Sequence, residues 1–258
     1  MIICVLDTET IGKQSQDLLN LGYKIVDINL QNGETTTILQ RDYVVGKLFN
    51  NHIYMINDDF VGAEKYEKYA QAIKNKTCIK RSLKQMLTTF KRDFIKNKVV
   101  FAYAYNCKFD LDKINKSFDL IGVESPINEF NCFDIWGYST QHFKNDSDFK
   151  KWAIENDQLT ATGAYISTTV ETVIRYLTQN LDFVEDHTAL SDTQHETKIL
   201  QYIVKKGYDI TRPVDHCLIP SDKVFTKTIT YSKYGLQITE EIEYKKTYER
   251  NGKITYKM

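Results

Sequence analysis

Residues Ile2–Leu6 form an apolar run that ends abruptly on two carboxylates, Asp7 and Glu9, in the stretch VLDTETIG (residues 5–12). A short apolar run rich in Ile and Val reads as a buried strand. Residues two apart on a strand share a face, so the two acids project side by side from its end. At about 4 Å and an effective dielectric near 20, two such charges repel by roughly 4 kcal/mol. Either one of them holds a proton or a cation lies between them. The fold must therefore bury the body of this strand while leaving its end open to solvent or an ion.

The rest of the chain supplies partners for that strand. YKIVDINL (23–30) alternates apolar and polar residues, QNGE gives a turn, and TTTILQRDYVV (35–45) returns, so strands 1–3 are expected as a meander. Residues 63–98 read as helical, with Leu83, Leu87, Phe90 and Phe94 on one face. VVFAYAY (99–105) is a second buried strand that turns into a helix through NCKFDLDKINKSFDLIG. FNCFDIWGYS reads as a short strand or turn, followed by helices in DFKKWAIEND and over residues 166–179. A strong helix is predicted over 186–207, closed by Gly207 as a C′ glycine. From Thr226 the pattern alternates as β-structure, with ERNGKI as a hairpin turn. This order predicts an α/β fold with a mixed β-sheet flanked by helices, and two units: a main domain over residues 1–210 and a C-terminal β-hairpin extension over 211–258.

Composition narrows the setting. No apolar run approaches the roughly 18 residues of a membrane span, and the N-terminus lacks the basic and small-residue pattern of a signal peptide. Cys4, Cys78, Cys107, Cys132 and Cys217 form no CxxC pair and are odd in number. They read as reduced thiols, and the expected location is cytoplasmic, with no membrane partner. The formal net charge is zero, so bulk charge does not mark a nucleic-acid binder.

Two further stretches place acids at element boundaries. YNCKFD (105–110) follows the second buried strand and puts Asp110 near a helix start, where it could equally serve as a cap worth about 1 kcal/mol. DHTALSD (186–192) places His187 in the expected first turn of the last long helix, five residues before Asp192. Each has an ordinary structural reading when taken alone. Four carboxylates and a histidine in this order at three element ends are harder to dismiss. Nearby acids and histidines read differently: Asp186 as the helix N-cap, His195 as a surface residue, Asp112 and Asp134 as solvated. Cys107 reads as a small packing residue.

VLDTETIG, YNCKFD and HTALSD together resemble the three motifs of the DEDD 3′–5′ exonuclease superfamily, and the histidine makes the chain similar to its DEDDh branch. The resemblance covers roughly residues 1–207 and departs from the usual residue types at Ile11 and Lys108. It implies a ribonuclease H-like fold and a two-metal phosphodiester hydrolase. Two divalent cations, Mg²⁺ or Mn²⁺, suit hard carboxylate ligands. By the same resemblance Asp7 would bridge both ions, Glu9 and Asp192 would hold the one carrying the nucleophilic water, and Asp110 would support the second. His187, with an ordinary pKa near 6.5, would take the water's proton. Thr8, Thr10 and Asn106, beside these motif residues, are expected to contact substrate. The implied partner is nucleic acid with a free 3′ end, single-stranded DNA favoured over RNA, with nucleoside monophosphates as product. The competing reading is a ribonuclease H-like binding or scaffolding protein without turnover.

Charge is unevenly spread. Residues 65–98 carry eleven lysines and arginines against Glu67 and Asp93. This stretch is either a patch that steers a polyanion, with Lys84 and Lys91 contacting phosphates, or a solvated helix face. Residues 223–258 interleave eight basic residues with Tyr231, Tyr234, Tyr244, Tyr248 and Tyr256. Base stacking, cross-strand pairing and a strand edge that recruits a second copy or another protein all fit that pattern.

Overall fold

The computed structural model describes residues 1–11, 17–51, 62–160 and 165–214, and the strands within residues 225–257. β1 (Ile2–Ile11), β2 (Asp17–Ile28) and β3 (Thr35–Val45) form the expected antiparallel meander. β4 (Ile79–Arg81) pairs parallel to β3, while β5 (Phe101–Ala104) and β6 (Cys132–Asp134) extend the sheet in parallel from β1. The six-stranded order is β4-β3-β2-β1-β5-β6. Because β1, β5 and β6 run the same way, their carboxyl ends lie along one edge, where open α/β sheets place ligands.

The helices are α1 (Gly46–Asn50), α2 (Gly62–Lys74), α3 (Leu83–Lys96), α4 (Cys107–Leu120), α5 (Ile135–Phe143), α6 (Ser147–Glu155), α7 (Val170–Thr178) and α8 (Ala189–Lys205). Alternation along β1 sorts them into two layers. Ile3 and Val5 pack with Ile199 and Ile203 of α8 and with residues of α5–α7. Cys4 and Leu6 face the other way, onto Leu87 and Phe90 of α3 and Ile114 and Phe118 of α4. Full burial of one such Leu or Phe contributes roughly 1.5–3 kcal/mol, so both helical layers are held chiefly by apolar area. Ile210 is buried in the α8 layer, and its carbonyl accepts from Tyr103 Oη at 2.8 Å and Tyr138 Oη at 3.0 Å.

Several boundaries differ from the sequence reading: β1 runs on through Asp7 and Glu9 to Ile11, and β2 starts at Asp17 rather than at residue 23. The basic stretch is two helices rather than one. Lys76, at φ 60°, turns the chain out of α2, and β4 intervenes before Ser82 starts α3. There Ser82 and Gln85 form a reciprocal capping box, each side chain bonding the other's backbone N–H at 3.2 Å. α8 begins at Ala189, so His187 lies before the helix, at φ 52°. Its other end agrees: Gly207 follows the C-cap Lys206 at φ 85°, as a C′ glycine does.

β7 (Phe225–Lys233), β8 (Leu236–Tyr248) and β9 (Ile254–Lys257) form a separate three-stranded antiparallel sheet. The ERNGKI turn residues 249–253 and Cys217 lie outside the described residues, as do the side chains of the C-terminal tyrosines. The four described cysteines, Cys4, Cys78, Cys107 and Cys132, are free thiols. Among the described residues no helix is long and apolar enough to cross a membrane.

Candidate metal centre

β1 carries its alternation straight into the site. The row Ile3, Val5 continues as Asp7 and Glu9 on the α8 side; the row Cys4, Leu6 continues as Thr8 on the α4 side. Opposite Asp7 on β2 stands Gly22. A Cβ there would come within 2.3 Å of the Ala189 and Leu190 backbone, so glycine lets the start of α8 lie directly on the sheet. Asn20, fully buried, pins it: its Oδ1 accepts the Ala189 N–H at 3.0 Å and the Tyr69 hydroxyl at 2.7 Å, and its Nδ2 donates to Asp42 at 2.6 Å. A register shift between Glu9 and Thr10 re-aims the strand just past the acids.

Asp110 arrives from the other layer. Asn106, exposed and left-handed at φ 64°, precedes α4 and donates its backbone N–H to Asp134 at 2.9 Å. Asp110 then falls in the first turn of α4, 1% exposed, and Oδ1 accepts both the Thr8 N–H at 2.9 Å and the Thr8 hydroxyl at 2.7 Å. Thr8 is therefore buried as Asp110's partner, not held open towards a ligand. Asp192 comes from the first turn of α8, also buried.

These elements converge on one open cleft of about 230 Å³, lined by Asp7, Glu9, Asn106, His187, Asp192 and Glu196 among others. Glu9, His187 and Asp192 each bring a donor atom to within 4.8 Å of the others. Burial, then the neighbouring carboxylates Asp110, Glu196, Glu9 and Asp192, hold the Asp7 pKa well above the ordinary range. Burial, offset by the Thr8 hydrogen bonds, lifts Asp110 to about 7. Burial, with Glu185 and Glu9, lifts Asp192 to about 8. Glu9 is raised less simply, because Lys65 Nζ donates to its Oε2 at 2.5 Å and opposes its desolvation.

The donor set fits a hard divalent cation. Asp7 Oδ2, Asp192 Oδ1 and Glu196 Oε2 are all buried and have no hydrogen-bond partner among the described residues. Leaving a buried polar group unpaired costs about 1–3 kcal/mol, more when charged, and three such oxygens face one cleft. Carboxylate oxygens suit a hard divalent cation better than a thiophilic one.

Other candidate residues lie elsewhere. Thr10 remains on β1 beyond the shift and, like Lys84 and Lys91, is not part of the cleft lining. Lys84 and Lys91 stand on α3, and Lys91 Nζ donates to the Glu124 carbonyl at 2.7 Å. Lys98 falls after the α3 C-cap, at φ 55°, so no continuous lysine stripe runs to it. Asp186 is not the cap of α8; Thr188 holds that position, and Asp186 instead accepts from Ser191 Oγ at 3.1 Å. Asp134 is not solvated but caps α5, accepting the Trp136 N–H at 2.9 Å. His195 is not a surface residue: it is half-buried with its ring against Phe183, centroids 4.8 Å apart. Asp112 is the exposed acid expected, paired with Lys116 at 2.9 Å.

Four residues in or beside the cleft are not assigned to it by the sequence reading. Glu196 is four residues after Asp192, and that helical spacing was the available signal. Lys65 was counted within the basic stretch, but its pairing with Glu9 spans 56 residues and has no local mark. Tyr105 and Trp136 stack with centroids 5.9 Å apart at the cleft wall; only the sheet order brings them together.

No family model matches this chain, and no curated protein sequence matches it. Among solved structures it is similar to the nuclease domain of 3'hExo, described as a DEDDh family member and solved bound to rAMP. The TM-score is 0.54 at 10% sequence identity, covering 83% of this chain and 96% of that one. At that identity the likeness is one of fold: the chain has the ribonuclease H-like architecture of a DEDDh nuclease domain.

Proposed function

We propose that this chain is a metal-dependent 3′–5′ exonuclease that releases nucleoside monophosphates from single-stranded nucleic acid. The observation that carries the proposal is the convergence of Asp7, Glu9, Asp192 and His187 on one cleft, with Asp110 close behind Asp7 and with buried carboxylate oxygens that have no partner among the described residues. Asp7, Glu9 and Asp192 would hold divalent cations, and Asp110, oriented by Thr8, would support the Asp7 side. Such ions supply Lewis-acid stabilisation of the attacking and leaving oxygens of phosphodiester hydrolysis. His187, exposed at the cleft mouth, accepts a proton from the attacking water. The Tyr105–Trp136 stack offers a face for the terminal base, which suits a strand already unpaired. Asn106, exposed at the head of α4 and lining the cleft, is proposed to contact the strand's backbone.

DNA is proposed as the preferred substrate, and RNA is the competitor to be assayed beside it. The C-terminal sheet is proposed as a surface for a second copy or a protein partner. The deciding assay incubates 3′- and 5′-labelled single- and double-stranded DNA and RNA with Mg²⁺, Mn²⁺ or EDTA. Stepwise shortening from the 3′ end that stops in EDTA supports the reading. Tight binding of the same strands without any shortening, in every metal, would replace it with the scaffolding alternative.

A further inference from the structure

Glu196 is the least expected group in the cleft. It is 2% exposed, buried without an ammonium or guanidinium partner, and it sits one helical turn beyond Asp192 on the face of α8 that meets β1. The Tyr105 backbone amide favours the charged form of its carboxylate, while Oε2 has no partner among the described residues. A helix residue packed only for stability at this depth would be apolar, like Ile199 and Ile203 further along the same layer. A glutamate kept here presents an oxygen to something that is neither protein nor bulk solvent.

Its surroundings say on which side of the cleft it acts. Lys65 and His187 lie by Glu9, at the outer rim. Glu196 instead lies with Asp110 and Asp192, both buried as it is, and beside Asp7, whose Oδ2 is buried too. We propose that Glu196 is a fifth carboxylate ligand of the metal centre, serving the inner ion that Asp7 and Asp110 face. This rests on the cleft being a metal centre, and it goes beyond the four acids and the histidine of the sequence motifs. Asp110 has both Thr8 donors on Oδ1 and so offers an ion only its other oxygen. Glu196 Oε2, uncommitted, is the better direct ligand for that ion.

The test is Mn²⁺ titration of the full chain by calorimetry, without nucleic acid, for wild type, Asp7→Asn and Glu196→Gln. Glutamine keeps the shape and the Tyr105 contact but is a poor ligand in place of the carboxylate. Wild type is expected to bind two ions, and Glu196→Gln to weaken one of them by about tenfold or more, the scale seen for groups that tune a metal site. Glu196→Asp, with its shorter reach, should recover part of the loss only if a carboxylate is what matters. The metal-free melting temperature of Glu196→Gln should be no lower than wild type, since a buried charge is removed. If wild type binds Mn²⁺ and Glu196→Gln gives the same isotherm, Glu196 is a neutral packing acid and the inference fails alone. If wild type binds no Mn²⁺ at millimolar concentration, the metal-centre reading itself fails.

Discussion

The two faces of β1 start alike and end differently. Both are apolar through residue 6, and both then turn polar at the same sheet edge. On the α4 face the polar group is Thr8, which donates twice to Asp110 and leaves that oxygen satisfied. On the α8 face the polar groups are Asp7 and Glu9, and Asp7 Oδ2 meets no donor at all. A carboxylate oxygen satisfied by fixed donors is held by the scaffold; on the proposed reading, one buried among other carboxylates without a donor is left for a ligand. The difference separates the residues that orient the site from those that hold its contents.

The largest expected effect tests that division at its centre. Asp7→Ala should abolish hydrolysis and remove high-affinity Mn²⁺ binding while the protein keeps its circular dichroism spectrum. On the other face, Thr8→Val removes one of two donors to Asp110 and should cost only about 1 kcal/mol of stability with residual activity. Equal and complete inactivation by both substitutions would erase the contrast.

His187→Ala comes next. A general base contributes about 10²- to 10⁴-fold, so turnover should drop by that much while the Mn²⁺ isotherm is largely preserved. Because the His187 ring lies within 4.8 Å of donor atoms on Glu9 and Asp192, the isotherm matters as much as the rate. Loss of an ion with the histidine would make it a ligand and leave the base unassigned.

Much of this was legible beforehand because the signals were local. The β1–β3 meander, the α3 apolar face and the Gly207 stop each come from periodicity or turn chemistry within a few residues. Asp7 and Glu9 were visible for the same reason, as acids breaking an apolar strand. What the chain concealed depends on approach between distant segments: Gly22 admitting the α8 backbone, Lys65 reaching Glu9, Tyr105 meeting Trp136 across β5 and β6. The break between α2 and α3 was missed because β4 is three residues long, too short for any period to register. His195 was misplaced because its cover, Phe183, comes from the loop before α8 rather than from α8 itself.

The contrast also has a pH signature. Asp110 and Asp192 have folded pKa values of about 7 and about 8, against 3.8 ordinarily. Between those limits the folded protein holds protons that the unfolded chain gives up, so metal-free stability falls as pH rises from about 4 to about 8. On the proposed reading a divalent ion would replace the protons. At saturation of about 100 Kd it stabilises by roughly 2.7 kcal/mol, on the order of 5–10 °C for a chain of this size. Thermal melts at pH 5 and pH 8, with and without Mn²⁺, should show the larger metal-induced rise at pH 8. A rise that is greater at pH 5 contradicts the assignment of these acids as ligands.

The smallest effect belongs to the lysines of α3, and it is informative because Lys65 provides the comparison. Lys65 already touches a cleft acid, whereas Lys91 is tied to the Glu124 carbonyl beyond the far end of α4. From Asp110 to the last residue of α4, Leu120, the helix rises roughly 15 Å. A dinucleotide seated in the cleft does not span this distance; a twenty-nucleotide strand does. Replacing Lys84 and Lys91 by Gln should therefore leave dinucleotide turnover unchanged. For the long strand each lost phosphate contact should flatten the salt dependence of binding by about 0.7 log units per log salt. Lys65→Gln should instead change the metal requirement for both substrates, since it releases Glu9 from its ion pair. Binding is measured in Ca²⁺ with Asp7 replaced, to prevent cleavage. Salt slopes for the long strand that match wild type would make the α3 lysines a solvated face, and the strand then leaves the cleft by another path.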